Sequence, residues 1–345
     1  IPGQAVTLPG TYRLAPGQPQ RPLSDTSPVE VVAPDPQVYR STNLFPAALH
    51  SEMSEGYFRG HRIASLALHP VQYVPAHGQV TCYGEMLVRI TTAPDAAALS
   101  HTEQMIRRDA STLTRLGRLV ANPAASGAYD AIHPAASSAY DAIGPAPAGT
   151  RDLDPSLGYT YLIITGDTYA EEVEPLVAFH TERGRKAGLF LKSWILENYT
   201  SGVDEQECIR DFIIDAYQTW GVDYVLLVGD ARDENGIPHR GLYSDTDYGE
   251  WDQDIPADMY YGCLDGNWNT DGDDRWGEPG EDDLYHEVAV GRACVSDEDD
   301  ALNFVTKVTR YTTEPVLEES DAALMVAELL WSNPLTWGGD SKDEV

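Results

Sequence analysis

Positive charge is scarce in this chain. Its 345 residues carry 23 Lys and Arg against 55 Asp and Glu, a formal net charge of -32. A surface of that sign repels phosphates, which argues against nucleic acid or an anionic membrane as a partner and makes cations the natural ones. The same charge would also keep an extracellular or salt-tolerant protein soluble. Cysteine is scarce too. Cys82, Cys208, Cys263 and Cys294 stand singly, with no C-x-x-C or C-x-x-H spacing, which argues against a zinc site or a redox pair. Each lies in or beside an apolar run and reads as a buried, inert thiol. No run approaches the ~20 apolar residues of a membrane span. Also missing are a Gly-x-Ser-x-Gly elbow and a phosphate loop. The sequence starts at Ile1 with neither Met nor a signal peptide, which reads as trimming or a fragment, so export cannot be read from its start.

The length is enough for two domains, each with its own core. Up to about Gln37 the chain is rich in Pro, Gly and small polar residues and suits an extended arm. From Tyr57 to Thr92 short apolar runs (Ile63 to Leu68, Val71 to Val74, Val80 to Ile90) are broken by Pro and Gly, the pattern of a small antiparallel β domain. Leu99, Ile106, Leu113, Leu116 and Leu119 recur at intervals of seven or three, which predicts one helix over 99–119 of about six turns. Residues 1–120 therefore read as a β-rich domain closed by a helix.

Residues 121–158 read as a linker of Ala, Pro, Ser and Gly. An eleven-residue unit, Ala124 to Pro134, returns as Ala135 to Pro145 with two changes, Gly127 against Ser138 and His133 against Gly144. Two short copies cannot build a repeat fold. Tyr129 and Tyr140 read as solvated. Arg151, alone ahead of Asp152, is a candidate processing site.

Residues 159–345 alternate strand and helix patterns. Strands are predicted at Tyr161 to Thr165, Ala187 to Lys192, Tyr224 to Val228, Val288 to Val290 and Ala323 to Ala327. Helices are predicted at Ala170 to Arg185, Asp204 to Trp220 and Asp297 to Tyr311. Such alternation implies an α/β domain with a mainly parallel sheet covered on both faces. Asp297 is a natural N-cap, and Glu298, Asp299 and Asp300 suit the positive end of its helix.

Function is sought between Asp223 and Arg292, where two apolar strands hold out one acidic, Gly-rich loop. Counting from Asn267, oxygen-bearing side chains fall at positions 1, 3, 5 and 7, Gly272 at 6 and Glu278 at 12. That is the spacing of an EF-hand-type Ca²⁺ loop, whose cation needs six to eight oxygens. Position 1 is Asn rather than Asp, with Asp265 able to supply charge from a shifted register, and Pro279 and Gly280 follow in place of a helix. The expected ligands are Asp265, Asn267, Asn269, Asp271, Asp273 and Glu278, with a merely solvated acidic turn as the alternative. Asp230 follows Gly229 and reads first as a turn cap. His239 and His286 have no Cys or Ser at a motif spacing. Cys294 is a conceivable nucleophile only if Arg292 meets it, so the inert thiol is preferred.

Together, Tyr224 to Asp230, Pro238, ADMYYGCLDGN at Ala257 to Asn267 and HEVAVGRACVS at His286 to Ser296 resemble the first half of gingipain-type cysteine peptidase domains. HPVQYVP at His69 to Pro75, within the Gly60 to Ile90 region, resembles the pro-region of the same enzymes. The resemblance implies a caspase-like α/β domain behind a β pro-domain. It implies acyl transfer from protein or peptide substrates by a thiolate and an imidazole, in a secreted or cell-surface bacterial protein. The family's His lies in a His-Gly motif, and the only such pair here, His77 and Gly78, falls in the β region. The dyad is therefore expected beyond Val345, and this fragment alone is expected to be inactive. Glu328, after the strand pattern Ala323 to Ala327, matches the acidic residue that assists the family's His. The rival reading is a secreted, calcium-stabilised binding or structural protein without catalysis.

Overall fold

The structure, a computed structural model, describes residues 1–16, 32–132, 158–245, 251–316, 329–332 and 335–337. Two units are distinguished. One comprises Ile1–Ser54, Ser65–Ala93 and Val316–Val345; the other comprises Glu55–Ala64 and Pro94–Pro315.

The chain opens with β1 (Ala5–Thr7) and the single turn α1 (Pro36–Tyr39), whose N-cap Asp35 accepts from Gln37 N. The hairpin of β2 (Ser54–Phe58) and β3 (His61–Ser65) falls almost wholly in the second unit. β4 (Val71–Val74) and β5 (Gln79–Tyr83) return to the first, where the antiparallel order is β1-β5-β4. The antiparallel reading of this region holds.

In the second unit follow α2 (Ala96–Met105) and α3 (Ala110–Leu119). The periodicity predicts one helix here, and the structure has two. Ile106 leaves the helical region at φ -62 and ψ 125, and Asp109 caps the next helix by accepting from Thr112 N. The break frees the two arginines between the helices to reach carbonyls elsewhere: Arg108 Nη1 donates to Asp130 O at 2.9 Å. Tyr129 is docked rather than solvated, since Arg62 N donates to its hydroxyl at 3.1 Å and the His61 ring lies 4.8 Å away. Tyr140, with the whole second repeat copy, and Arg151 lie outside the described residues.

The α/β part runs β6 (Tyr161–Thr165), α4 (Ala170–Val173), α5 (Pro175–Glu182), β7 (Ala187–Leu191), α6 (Lys192–Asn198), α7 (Glu205–Trp220) and β8 (Tyr224–Val228). It continues with β9 (Arg240–Asp245), β10 (Trp251–Ala257), β11 (Ala289–Ala293) and α8 (Glu298–Thr313). One helix is expected over 170–185, but Pro175 has no N–H to continue the ladder and a new helix starts there. As expected, Asp297 caps α8 by accepting from Asp300 N. The hairpin β9–β10 lies in what the sequence reads as one loop. Beyond α8, β12 (Leu329–Ser332) and β13 (Leu335–Trp337) pair antiparallel; the strand predicted at 323–327 and Glu328 lie outside the described residues.

The central sheet is fully parallel, in the order β11-β8-β6-β7. Alternate residues supply its two faces. Leu162, Ile164, Val225 and Leu227 pack with Trp194, Phe212 and Trp220 from α6 and α7, whereas Ile163, Leu226 and Val228 pack with Val173, Leu176, Ala301 and Val305 from α4, α5 and α8. Burial on both faces is what makes β6, β7 and β8 continuous apolar runs, whereas the edge strand β11, which carries Arg292, is only partly buried. The expected α/β architecture is therefore present. Among the described residues no helix is long and apolar enough to cross a membrane.

Leu227 is 0 % exposed at the sheet centre. Leu227→Ala is expected to cost about 2–5 kcal/mol of unfolding free energy, read from urea denaturation. A loss below about 1 kcal/mol would contradict the packing described.

Candidate functional site

Beyond β10 a 3-10 turn, Asp258–Tyr261, leads into the segment that carries most of the charge. Its path is set by Arg210 of α7, which is 3 % exposed. Its guanidinium donates to the carbonyls of Tyr260 (3.0 Å), Cys263 (2.9 Å), Asp265 (2.9 Å) and Gly266 (3.1 Å). A buried cation without an anionic side-chain partner is costly unless its donors are filled, and here carbonyl dipoles fill them. The result is a tight turn that directs the Asp265 side chain inward.

There Asp265, Asp283 and Glu287 converge, each at most 9 % exposed, with ligand oxygens all within 4.8 Å of one another. Glu287 Oε1 accepts from Arg59 N (3.0 Å) and Oε2 from Leu264 N (2.9 Å). Asp283 accepts from Tyr285 N (2.9 Å) and Asp265 N (3.3 Å). Neither Asp265 oxygen receives a well-aligned hydrogen bond, although His101 Nε2 lies 2.6 Å from Oδ1. Burial, reinforced by the Asp265 charge, pushes Asp283 up to about 7. Burial, then Asp265 and Asp283, hold Glu287 well above the ordinary carboxylate range.

The predicted ligand set splits. Asp265 joins Asp283 and Glu287, while Asp271 and Glu278 group with Glu281. The rest of the loop bonds itself: Asn267 Oδ1 accepts from Asn269 N (3.2 Å), Asn269 Oδ1 from Gly272 N (2.9 Å), and Asp273 Oδ1 from Arg275 N (2.7 Å). Trp268, 1 % exposed and packed in the core at φ 63, anchors the start of this loop. The EF-hand spacing therefore does not close around one centre. Asp283 and Glu287 were missed because they lie beyond the Asn267 to Glu278 spacing. The available signal was Glu287 itself, a charge set directly against the apolar Val288 at the start of a sheet strand.

At the carboxyl ends of β8 and β11 a cleft of about 490 Å³ is lined by Asp230, Arg232, His239, Asp254, Asp258, Arg292 and Cys294, among others. Arg292 is committed to Asp258 (2.7 Å to each oxygen) and to the carbonyls of Gly229 (3.0 Å) and Ile237 (2.5 Å). Asp230 caps its turn through Arg232 N at 2.9 Å, as expected. His239 Nε2 faces Asp254 at 3.3 Å, and His286 accepts from Arg115 Nη2 at 2.8 Å. Burial, then Arg115 and Arg59, lower the His286 pKa. Neither histidine is bonded to a cysteine. All four thiols are free; Cys208 and Cys263 are buried and their thiol pKa values are raised by that burial, Cys82 is half-buried, and Cys294 is exposed, contrary to expectation.

Residues 154–344 match the family model for peptidase family C25, and residues 27–114 match that of the C25 propeptide. The chain belongs to peptidase family C25. No curated protein matches it. Among solved structures it is similar to dimeric latent PorU from Porphyromonas gingivalis, at 18% identity and TM-score 0.35, covering 50% of this chain and 17% of that one. The complex of Porphyromonas gingivalis RgpB pro- and mature domains matches at 24% and 0.30, covering 44% and 28%. A structure described as a protease matches at 16% and 0.30, covering 46% and 29%. The chain thus spans less than a third of each of these solved chains.

The propeptide match places β2, β3, α2 and the first half of α3 in a pro-segment, and these elements share a unit with the peptidase part. Arg107, from the break between α2 and α3, caps the carboxyl end of α7: it donates to Tyr217 O (3.0 Å), Gly221 O (3.0 Å) and Val222 O (3.2 Å). Its guanidinium also lies 4.1 Å from the Tyr217 ring centroid, and Tyr217 Oη donates to Met105 O at 3.0 Å. Cations are favoured at this end of a helix.

Asp283 binds its proton more tightly folded than unfolded, its unfolded value being near 3.8. Its contribution to stability is complete below about pH 4 and is lost as pH rises to about 7. In chelator, Asp283→Asn is expected to lose less melting temperature than the parent between those limits. Equal losses would contradict the raised value.

Proposed function

We propose that this chain is the pro-segment and first peptidase half of a gingipain-like cysteine endopeptidase precursor. The observation that carries this reading is the ordered pair of family matches, with the matched propeptide docked on the matched peptidase through Arg107 and Met105. The reaction is acyl transfer from a protein or peptide substrate, in which a thiolate attacks the carbonyl, an imidazole moves the proton and backbone N–H groups hold the oxyanion. The described residues contribute scaffold and latency, and the His and Cys are assigned to sequence beyond them. Cleavage in the linker, with Arg151 as the processing residue, frees the pro-segment. A secreted or cell-surface setting accords with the strongly acidic composition.

The cofactor assigned to this half is a structural Ca²⁺ at Asp265, Asp283 and Glu287. The residues fit such an ion. They form an all-oxygen donor set suited to a hard cation, both Asp265 oxygens lack an aligned hydrogen bond, and burial strains the charged form of the other two. Bound there, the ion would offset two of the three carboxylate charges and tie the segment at Asp265 to the approach to β11.

The peptidase reading is tested on the full-length gene product. A thiol-directed peptidyl probe is expected to label it once the linker is cut; an active form with an intact linker, or no labelling, would reject the scheme. For calcium, a hundredfold excess over Kd is expected to stabilise by about 2.7 kcal/mol, raising the melting temperature by several degrees over chelator. Glu287→Gln is expected to abolish the shift, and an unchanged midpoint in the parent would remove the ion.

A further inference from the structure

We infer that the pro-segment and a bound cation compete for the acidic centre, so that cation binding loosens the docked pro-segment. The inference rests on the calcium reading above and adds a regulatory role to that site.

The N–H donors around the three carboxylates come from two sources. Leu264, Tyr285 and Asp265 itself belong to the peptidase part, and their backbone N–H groups orient Glu287 and Asp283. Two further groups come from the pro-segment: Arg59 N, which donates to Glu287 Oε1 at 3.0 Å, and the His101 ring, whose Nε2 lies 2.6 Å from Asp265 Oδ1 out of hydrogen-bond alignment. At that distance the ring fills the approach to an oxygen that a cation would coordinate, so the two occupants exclude one another there. Asp265 is 7 % exposed and has no aligned donor on either oxygen, so the pro-segment reaches this carboxylate without satisfying it. A cation is the better occupant.

Displacement at these two points is transmitted because the contacting elements are interlocked. The Tyr57 ring of β2 packs on His101 of α2 with centroids 4.5 Å apart. Arg59 and Gly60 form the β2–β3 turn at φ 48 and 75, which aims Arg59 N at Glu287. A Cβ on Gly60 would stand 2.6 Å from the Ile106 Cα, so the turn lies directly against the end of α2. Movement of His101 therefore carries both the hairpin and α2. Arg107, whose own N donates to Arg59 O, holds the end of α7 through three further carbonyls and retains that hold, which makes the effect a loosening rather than release.

The test is hydrogen exchange on the full chain, with Ca²⁺ or chelator, beside calorimetric titration with Ca²⁺. Ca²⁺ is expected to speed exchange in Ala96–Met105 while slowing it around Leu264 and Glu287. His101→Ala is expected to bind Ca²⁺ about fivefold tighter and to lose the Ca²⁺ effect on α2 exchange. Binding of Ca²⁺ with slowed or unchanged α2 exchange in the parent would overturn the competition and leave the calcium assignment standing. No binding in the parent would overturn both.

Discussion

Three carboxylates held within 4.8 Å of one another, in a region nearly closed to water, form the constraint on which this half of the molecule turns. Like charges at such distances in a low dielectric cannot all persist without compensation. The fold responds in three ways. Burial raises the carboxyl pKa values of Asp283 and Glu287, backbone N–H groups are aimed at their oxygens, and Arg210 ties down the carbonyls of the turn that presents Asp265. Each response draws a different element into the same place: α7 through Arg210, the approach to β11 through Glu287, and the β2–β3 hairpin through Arg59.

That convergence explains why the pro-segment is divided between the two units. Its hairpin and two helices belong with the peptidase sheet, whereas β4 and β5 pair with β1 in the other unit. Met105 is 2 % exposed within the same core cluster as Leu227 and Trp220, so an apolar pro-segment residue contributes to the peptidase core. Arg107 adds a directional contact to the end of α7. The pro-segment is therefore held by ordinary core packing and helix capping as well as at the acidic centre.

The loop between Gly266 and Glu281 shows how a spacing can satisfy a metal motif and serve another end. Its Asn and Asp side chains accept from backbone N–H groups a few residues away, the habit of these residues in turns. Trp268 is sunk in the core near one end. With the side chains so engaged, Asp265 is left to face residues that lie 18 and 22 positions further along the chain. Oxygen periodicity alone does not distinguish a loop whose carboxylates point at a common centre from one whose carboxylates cap successive turns.

The order of amino acids by itself determined the local features. Continuous apolar runs set β6, β7 and β8 as strands buried on both faces, Asp204 and Asp297 began their helices as caps, and the charge balance favoured cations. The family was also legible, because ADMYYGCLDGN and HEVAVGRACVS encode a turn and a partly buried sheet strand whose residues are held by specific contacts. Only the tertiary structure decided which acidic residues share a site, where the 99–119 helix breaks, and that the pro-segment brings Arg59 N and the His101 ring to the acidic centre. Those outcomes depend on contacts as distant as the 228 positions between Arg59 and Glu287. A buried charge takes whichever partner the fold brings within reach, and no local periodicity records which one that is.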